Sequence, residues 1–225
     1  MKKFLTGLVL LLLTGFLSAQ DCRNYYDLQT QRTVEMTIYN RRGEVAGKQV
    51  YTVSNVSNSG GTISATVESE MFDKKGKSIT RAGNTIKCKG GVMMIDMKIF
   101  IPQQQAEQFN KAEATSKNVY LEYPSNMKPG DHLKNGVFTI EINNSGLQQT
   151  LSMTIDDRKV EARKTVTTPA GTWQCFKITH HSKLVIKTGP IGIPLNIEGT
   201  EWFAPGFGIV KTESKSGSTE ITSIK

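Results

Sequence analysis

Hydrophobic and polar residues alternate along most of this chain, and this period of two constrains the fold more than any other feature. Val34, Met36 and Ile38 are separated by Glu35 and Thr37, and similar short runs recur to the end of the chain. Successive side chains of a strand point to opposite faces, so the alternation predicts half-buried strands. Gly, Asn or Asp fill the gaps, as in residues 58–61 (NSGG), which is typical of antiparallel hairpins. The sequence therefore predicts an all-β barrel or half-barrel of roughly 11–13 strands.

One segment departs from this period. Residues 102–113 (PQQQAEQFNKAE) begin with a proline and continue with good helix formers. We expect one short helix over residues 103–113, with a thin apolar stripe at Ala106, Phe109 and either Ala112 or Ile101. Two breaks between strands are also predicted, a turn at Asp156 and Asp157 and a glycine-rich crossing between Pro190 and Pro194.

The first residues have the layout of a secretory signal peptide. Lys2 and Lys3 precede an apolar run over residues 4–16 (FLTGLVLLLLTGF), and Ser18 and Ala19 are small residues suited to cleavage. The run is shorter than the roughly 20 residues that a spanning helix needs. We therefore predict a signal peptide over residues 1–20 and a single β-rich domain over residues 21–225. The product is expected in the periplasm, the cell envelope or the extracellular space, with no transmembrane span after cleavage.

Charge and composition exclude several classes of function. Removing Lys2 and Lys3 lowers the formal net charge from +8 to +6, and the remaining basic residues are scattered rather than grouped with aromatic residues. Nucleic acid is therefore not an expected partner. The three cysteines contain no C-x-x-C pair, so neither a metal site nor a cofactor is predicted.

Export changes the interpretation of the cysteines. In an oxidising compartment, Cys22, Cys88 and Cys175 can form one disulfide and leave one free thiol, and the sequence does not say which pair forms. Buried packing is the alternative for Cys88 and Cys175.

Two segments resemble a known family. Residues 167–178 (TTPAGTWQCFKI) and 201–213 (EWFAPGFGIVKTE) resemble the paired signatures of an exported bacterial family labelled TapB-like, and the opening residues 21–26 (DCRNYY) are similar too. The resemblance covers nearly the whole mature chain. It implies an antiparallel, strongly curved sheet related to the half-barrel of the lipoprotein carriers LolA and LolB, with a short helix near the concave side. It implies no activity and no catalytic residues.

Methionine is the most suggestive residue type for a binding site. Residues 93–97 (MMIDM) hold three methionines, and on a strand Met93, Ile95 and Met97 share one face. Flexible, polarisable side chains suit a deformable lipophilic pocket, and they suit an irregular core equally well. The candidate ligand-binding residues are Met93, Ile95, Met97, Phe100, Phe109, Met153, Trp202 and Phe203.

Three functions remain open. The first is a non-enzymatic binding module of the cell envelope that holds a lipophilic small molecule in a half-barrel. The second is a structural or interaction protein with a solid core, which contacts an envelope protein through loops and strand edges. The third, an enzyme, is not expected, because the sequence shows no nucleophile elbow, phosphate loop or metal spacing. His180 and His181 point apart on a strand, so they cannot bind one ion together.

Overall fold

Thirteen strands form one antiparallel sheet in the part of the chain that the structure describes. The computed structural model describes residues 22–101, 115–116, 120–144 and 147–225. The strands are β1 Thr33–Asn40, β2 Val45–Ser59, β3 Thr62–Asp73, β4 Ser78–Lys89, β5 Val92–Asp96, β6 Thr115–Ser116, β7 Tyr120–Pro124, β8 Gly136–Asn144, β9 Leu147–Thr168, β10 Gly171–Thr188, β11 Ile191–Ala204, β12 Gly208–Ser214 and β13 Gly217–Ile224. Three short 3-10 turns accompany them, at Cys22–Asn24, Tyr26–Leu28 and Met97–Phe100.

The order of the strands in the sheet is β6-β8-β9-β10-β11-β12-β13-β1-β2-β3-β4-β5-β7. Most neighbours in this order are also neighbours in sequence, as the antiparallel hairpin pattern predicted. Two tight turns show the local cause: Gly60 and Gly61 join β2 to β3, and Gly90 and Gly91 join β4 to β5, all four at positive φ. Paired residues at positive φ give the twist that two-residue hairpins require.

The sheet curls around its own hydrophobic face. One buried cluster combines side chains from strands that are far apart in the sheet order. Ile86 and Ile95 lie on β4 and β5, whereas Ile155 and Ile178 lie on β9 and β10. A smaller cluster around Val210, Ile221 and Phe207 packs beside it. The prediction of an all-β, antiparallel, strongly curved sheet with roughly 11–13 strands is confirmed.

Three local expectations are wrong. Asp156 and Asp157 do not form a turn, since they lie inside the 22-residue strand β9, where Asp157 has φ 50° and the pairing with β10 shifts. The sheet absorbs the irregularity as a bulge because β9 stays paired with β10 on both sides of it. Met97 is not on a strand but begins the 3-10 turn Met97–Phe100 after β5.

The third error concerns residues 190–194, which form no separate crossing. β11 begins at Ile191, and Pro194 lies within it opposite Val185 of β10. β12 starts to pair with β11 only at Gly199, so residues 191–198 are paired on one side alone among the described strands. A proline is tolerated there because an edge strand can lose an amide donor. The helix predicted over residues 103–113 lies outside the described residues.

Candidate functional site

A cavity of about 360 Å³ lies against the inner face of β1–β5, β12 and β13. The wall is mostly aliphatic and aromatic, and the 3-10 turn Met97–Phe100 contributes Ile99 and Phe100 to it. The residues that line it are Asp27, Val34, Met36, Ile38, Gln49, Tyr51, Val67, Met71, Ile86, Ile95, Ile99, Phe100, Ile101, Phe207, Ile209, Thr212 and Thr219. A volume in this range and an apolar lining with a few polar groups are typical of small-molecule sites.

Alternation within the strands places these side chains. Val34 and Met36 are two residues apart on β1 and are both buried, as are Ile86 on β4 and Ile95 on β5, which are direct cross-strand partners. Such pairs turn the same face of the sheet toward the cavity. Met36 and Met71 contribute the two methionines of the wall, and neither belongs to the 93–97 run.

Five polar side chains interrupt the apolar wall: Asp27, Gln49, Tyr51, Thr212 and Thr219. Gln49 donates to Ser69 Oγ at 2.7 Å, and its side chain also hydrogen-bonds with Tyr51. Burial, with the Asp27 carboxylate nearby, raises the pKa of Tyr51 far above its ordinary value. Asp27 belongs to the 3-10 turn Tyr26–Leu28, is half-buried as a residue and lines the cavity. Burial raises the pKa of Asp27 to about 7, because a charged carboxylate loses hydration there without gaining a partner.

The structure separates the predicted ligand-binding residues into several groups. Ile95 and Phe100 line the 360 Å³ cavity. Phe100 also lines a second cavity of about 160 Å³, where Met153 lies with Ile155 and Leu184. Met93 and Met97 are fully buried in the core and line neither cavity. Phe109 lies outside the described residues.

Trp202 and Phe203 occupy opposite faces of β11. Phe203 is buried and stacks on Tyr123 with ring centroids 4.7 Å apart. Trp202 packs against the smaller cluster and donates from Nε1 to Glu213 at 3.3 Å. Neither residue lines the 360 Å³ cavity. Their contacts are those of packed side chains.

Cys22 and Cys88 form a disulfide, and Cys175 is a buried free thiol. The bond fastens the 3-10 turn Cys22–Asn24 to β4, and the turn that carries Asp27 follows directly. Burial raises the pKa of Cys175 to about 12, so its reactive thiolate form is suppressed.

A largely buried polar cluster brings together side chains from β7, β9, β10 and β11. Tyr123 donates to Glu201 Oε2 at 2.9 Å, and Glu201 Oε1 lies 3.7 Å from His180 Nε2. Arg158 is completely buried, stands 4.6 Å over the Tyr123 ring and donates to the backbone carbonyls of Glu122 and Lys134. Among the described residues, Arg158 Nε and one terminal nitrogen have no hydrogen-bond partner.

The same cluster contains a Ser–His–Glu chain. His180 Nδ1 lies 3.0 Å from Ser182 Oγ, on the side of the ring opposite Glu201. Burial lowers the pKa of His180, although Glu201 acts in the opposite direction. Ser182 is only 4% exposed, and it lines the 160 Å³ cavity together with His180 and Glu201. His181 turns away and pairs with Asp156 at 3.1 Å.

Sequence reasoning missed the polar part of the cavity. Asp27, Gln49 and Tyr51 were not among the candidate residues, and Asp27 stands outside any alternating run. The alternation of β2 did carry a signal, because Gln49 and Tyr51 share a strand face with the buried Val53. Gln49 is also the cross-strand partner of the buried Met36. A polar residue on an otherwise buried face is the pattern that could have found them.

Neither a metal-binding cluster nor a membrane-spanning helix is found in the described ranges. No His, Cys, Asp or Glu side chains are grouped there in threes so as to hold a metal ion. No helix of the described chain is both long and apolar enough to cross a membrane.

Comparison with known proteins identifies the family. Residues 29–225 match the DUF3108-like family, which is more than half of the chain. The chain belongs to the DUF3108-like family. No curated protein matches the sequence. This match does not test the TapB-like resemblance or the likeness to LolA and LolB, and both stay predictions.

Two solved structures resemble this DUF3108-like chain in fold. A Bacteroides fragilis protein, described as exported and with a YmcC-like fold, has a TM-score of 0.70 at 22% identity and covers 89% of this chain and 98% of its own. A Parabacteroides distasonis protein described as a lipoprotein has a TM-score of 0.72 at 18% identity, with 90% and 98% covered. At these identities the likeness shows the shared fold.

Proposed function

We propose that this protein is an exported, non-enzymatic binding module of the cell envelope that holds an apolar ligand in the 360 Å³ cavity. The observation that carries the proposal is the cavity itself, which lies within the curve of the sheet and has a largely apolar wall. Unfilled apolar space lowers stability because its lining loses dispersion contacts. A ligand that fills it would restore those contacts.

Two further observations support the proposal. The amino-terminal residues have the layout of a signal peptide, and the two structural neighbours are described as an exported protein and a lipoprotein. In the Ser182–His180–Glu201 chain, Ser182 and Glu201 are buried and His180 is half-buried, and the burial of the hydroxyl favours a structural role for the chain over catalysis.

Dye binding to the purified mature protein tests the proposal. The neutral lipophilic dye N-phenyl-1-naphthylamine should bind with saturation and one site per chain, and native mass spectrometry should detect its mass on the folded protein. Met71→Trp adds a large side chain to the cavity wall, so it should weaken dye binding at least tenfold. Val137→Trp is the matched control, because Val137 is 52% exposed and does not line the cavity.

Saturable binding that Val137→Trp preserves and Met71→Trp removes would support the proposal. Equal binding by both variants, with circular dichroism unchanged, would overturn it. Should Met71→Trp fail to fold, a dye-induced rise in the Tm of the wild type provides the second measurement, since a ligand of the folded state must stabilise it. No rise at saturating dye would also count against the cavity.

A second candidate function rests on the edge of β11. Residues 191–198 pair only with β10 among the described strands, and Ile191 and Ile193 are 68% and 71% exposed. An exposed apolar edge favours addition of an extended segment from an envelope protein. A photo-crosslinker at position 193 should then give one stoichiometric adduct that Ile191→Asp abolishes, whereas dye binding in the cavity should be unaffected.

A further inference from the structure

Asp27 is the feature of the cavity that general lipophilicity does not explain. Among the described residues of the wall, it is the only one that can carry a charge near neutral pH. The carboxylate has a defined place against the backbone of Gly208, where a Cβ would come within 2.7 Å of Oδ2. Gly208 has φ +133°, so both the backbone and the available space favour glycine there. The carboxylate therefore fits closely against this corner of the cavity.

The other polar groups of the wall already have partners. Gln49 bonds with Ser69 and Tyr51, and the hydroxyls of Thr212 and Thr219 lie 2.8 Å apart. For Asp27, by contrast, no hydrogen bond or ion pair with another described residue is found, and burial is the one cause that raises its pKa. Asp27 is half-buried, and a carboxylate that faces an apolar wall without a hydrogen-bond donor has lost hydration that no partner replaces. The group that would satisfy the Asp27 carboxylate is therefore a hydrogen-bond donor.

Resting on the proposed function, we infer that the ligand is a single-chain amphiphile whose protonated amine head pairs with the Asp27 carboxylate while its apolar chain fills the cavity. A cation both donates hydrogen bonds and cancels the charge that the apolar wall cannot solvate. An alcohol would supply a single neutral donor, and a fatty acid anion would place a like charge beside Asp27. The carboxylate thus selects among head groups of equal chain length.

The cavity also limits the length of the chain. At about 30 Å³ for each water-sized group, 360 Å³ holds roughly twelve heavy atoms. Dodecylamine, dodecanol and dodecanoate match this size and differ only in the head group. Each can be tested by its ability to displace N-phenyl-1-naphthylamine from the mature protein.

At pH 8 we expect dodecylamine to displace the dye at a concentration at least tenfold lower than dodecanol or dodecanoate requires. Asp27→Asn should abolish this preference, since the amide keeps the shape and removes the charge. Glu68→Gln is the matched control, because it makes the same change at an exposed carboxylate on β3, and it should preserve the preference.

A pH series gives a readout that a merely structural role of Asp27 would not produce. With a carboxyl pKa of about 7, the amine must displace a proton at lower pH, so its apparent affinity should fall about tenfold between pH 8 and pH 6. Tyr51 is the other described titratable group beside Asp27, and it stays protonated throughout this range. Dodecanol should show no such fall.

The outcomes separate this inference from the proposed function. Equal affinities for the three probes, tightest binding by dodecanoate, or a preference that persists in Asp27→Asn would overturn the amine assignment and leave cavity binding in place. Dye that binds with saturation but is displaced only by dodecylamine supports both. Absence of any saturable dye binding would overturn the proposed function and this inference with it.

Discussion

Loss of the Cys22–Cys88 disulfide should produce a large and calculable destabilisation. The bond closes a loop with a sequence separation of 66 residues, and loop-closure entropy for this length gives about 4 kcal/mol of stability. For a domain of this size, about 2–4 °C of Tm accompanies each kcal/mol, so the expected fall is about 10 °C. The change is Cys22→Ala together with Cys88→Ala.

Urea unfolding followed by the fluorescence of Trp173 and Trp202 measures the free energy of unfolding. The wild type under reducing conditions keeps both sulfur atoms, so comparison with the double variant separates the crosslink from lost packing. Cys175→Ala is the control that keeps the disulfide, and it should lose only about 1 kcal/mol, because it removes a single buried atom. A double variant within 1 kcal/mol of the wild type would refute the reasoning that the bond restricts the unfolded chain.

Three further predictions concern the buried polar cluster. Tyr123→Phe removes the hydroxyl that donates to Glu201, and it should lower the free energy of urea unfolding by about 1–3 kcal/mol; an unchanged value would show that water replaces the donor. Gly199→Ala would place a Cβ 2.5 Å from the His180 ring, so it should lower the Tm by several degrees, whereas Gly83→Ala, with open space around it, should change the Tm little. Titration followed by NMR should give His180 a pKa below its ordinary value of 6.5. Because the unfolded chain then binds the proton more readily than the folded chain, the contribution of His180 to stability should be present above about pH 6.5 and lost as the pH falls. A measured pKa above 6.5 would reverse the sign of this pH dependence.

The strand pattern was predictable because it depends on local alternation and turn residues. Met36, Ile86 and Ile95 occupy buried positions on strands, as a period of two requires. The errors arose where pairing on both sides of a strand overrides local turn chemistry. Asp157 adopts a positive φ that would suit a turn, yet β9 continues through it because β10 remains paired beyond the bulge.

The site was less predictable than the fold, because it depends on which residues meet across the sheet. The run of methionines indicated a lipophilic region, but Met93 and Met97 are packed in the core. Met36 and Met71 line the 360 Å³ cavity instead. Asp27 meets the cavity through a 3-10 turn held near β4 by a disulfide whose pairing the sequence left open. Such long-range contacts have no local signature.

The pairing of β1 with β13 has a consequence for the order of folding. β1 is made first among the thirteen strands and β13 last, yet they are hydrogen-bonded neighbours in the middle of the sheet. During synthesis, the β1–β5 arm can form its hairpins early, but one edge of β1 stays open until the final strand emerges from the ribosome. Contacts between such distant residues slow folding. Premature termination before residue 217 should therefore yield an aggregation-prone chain rather than a smaller stable protein.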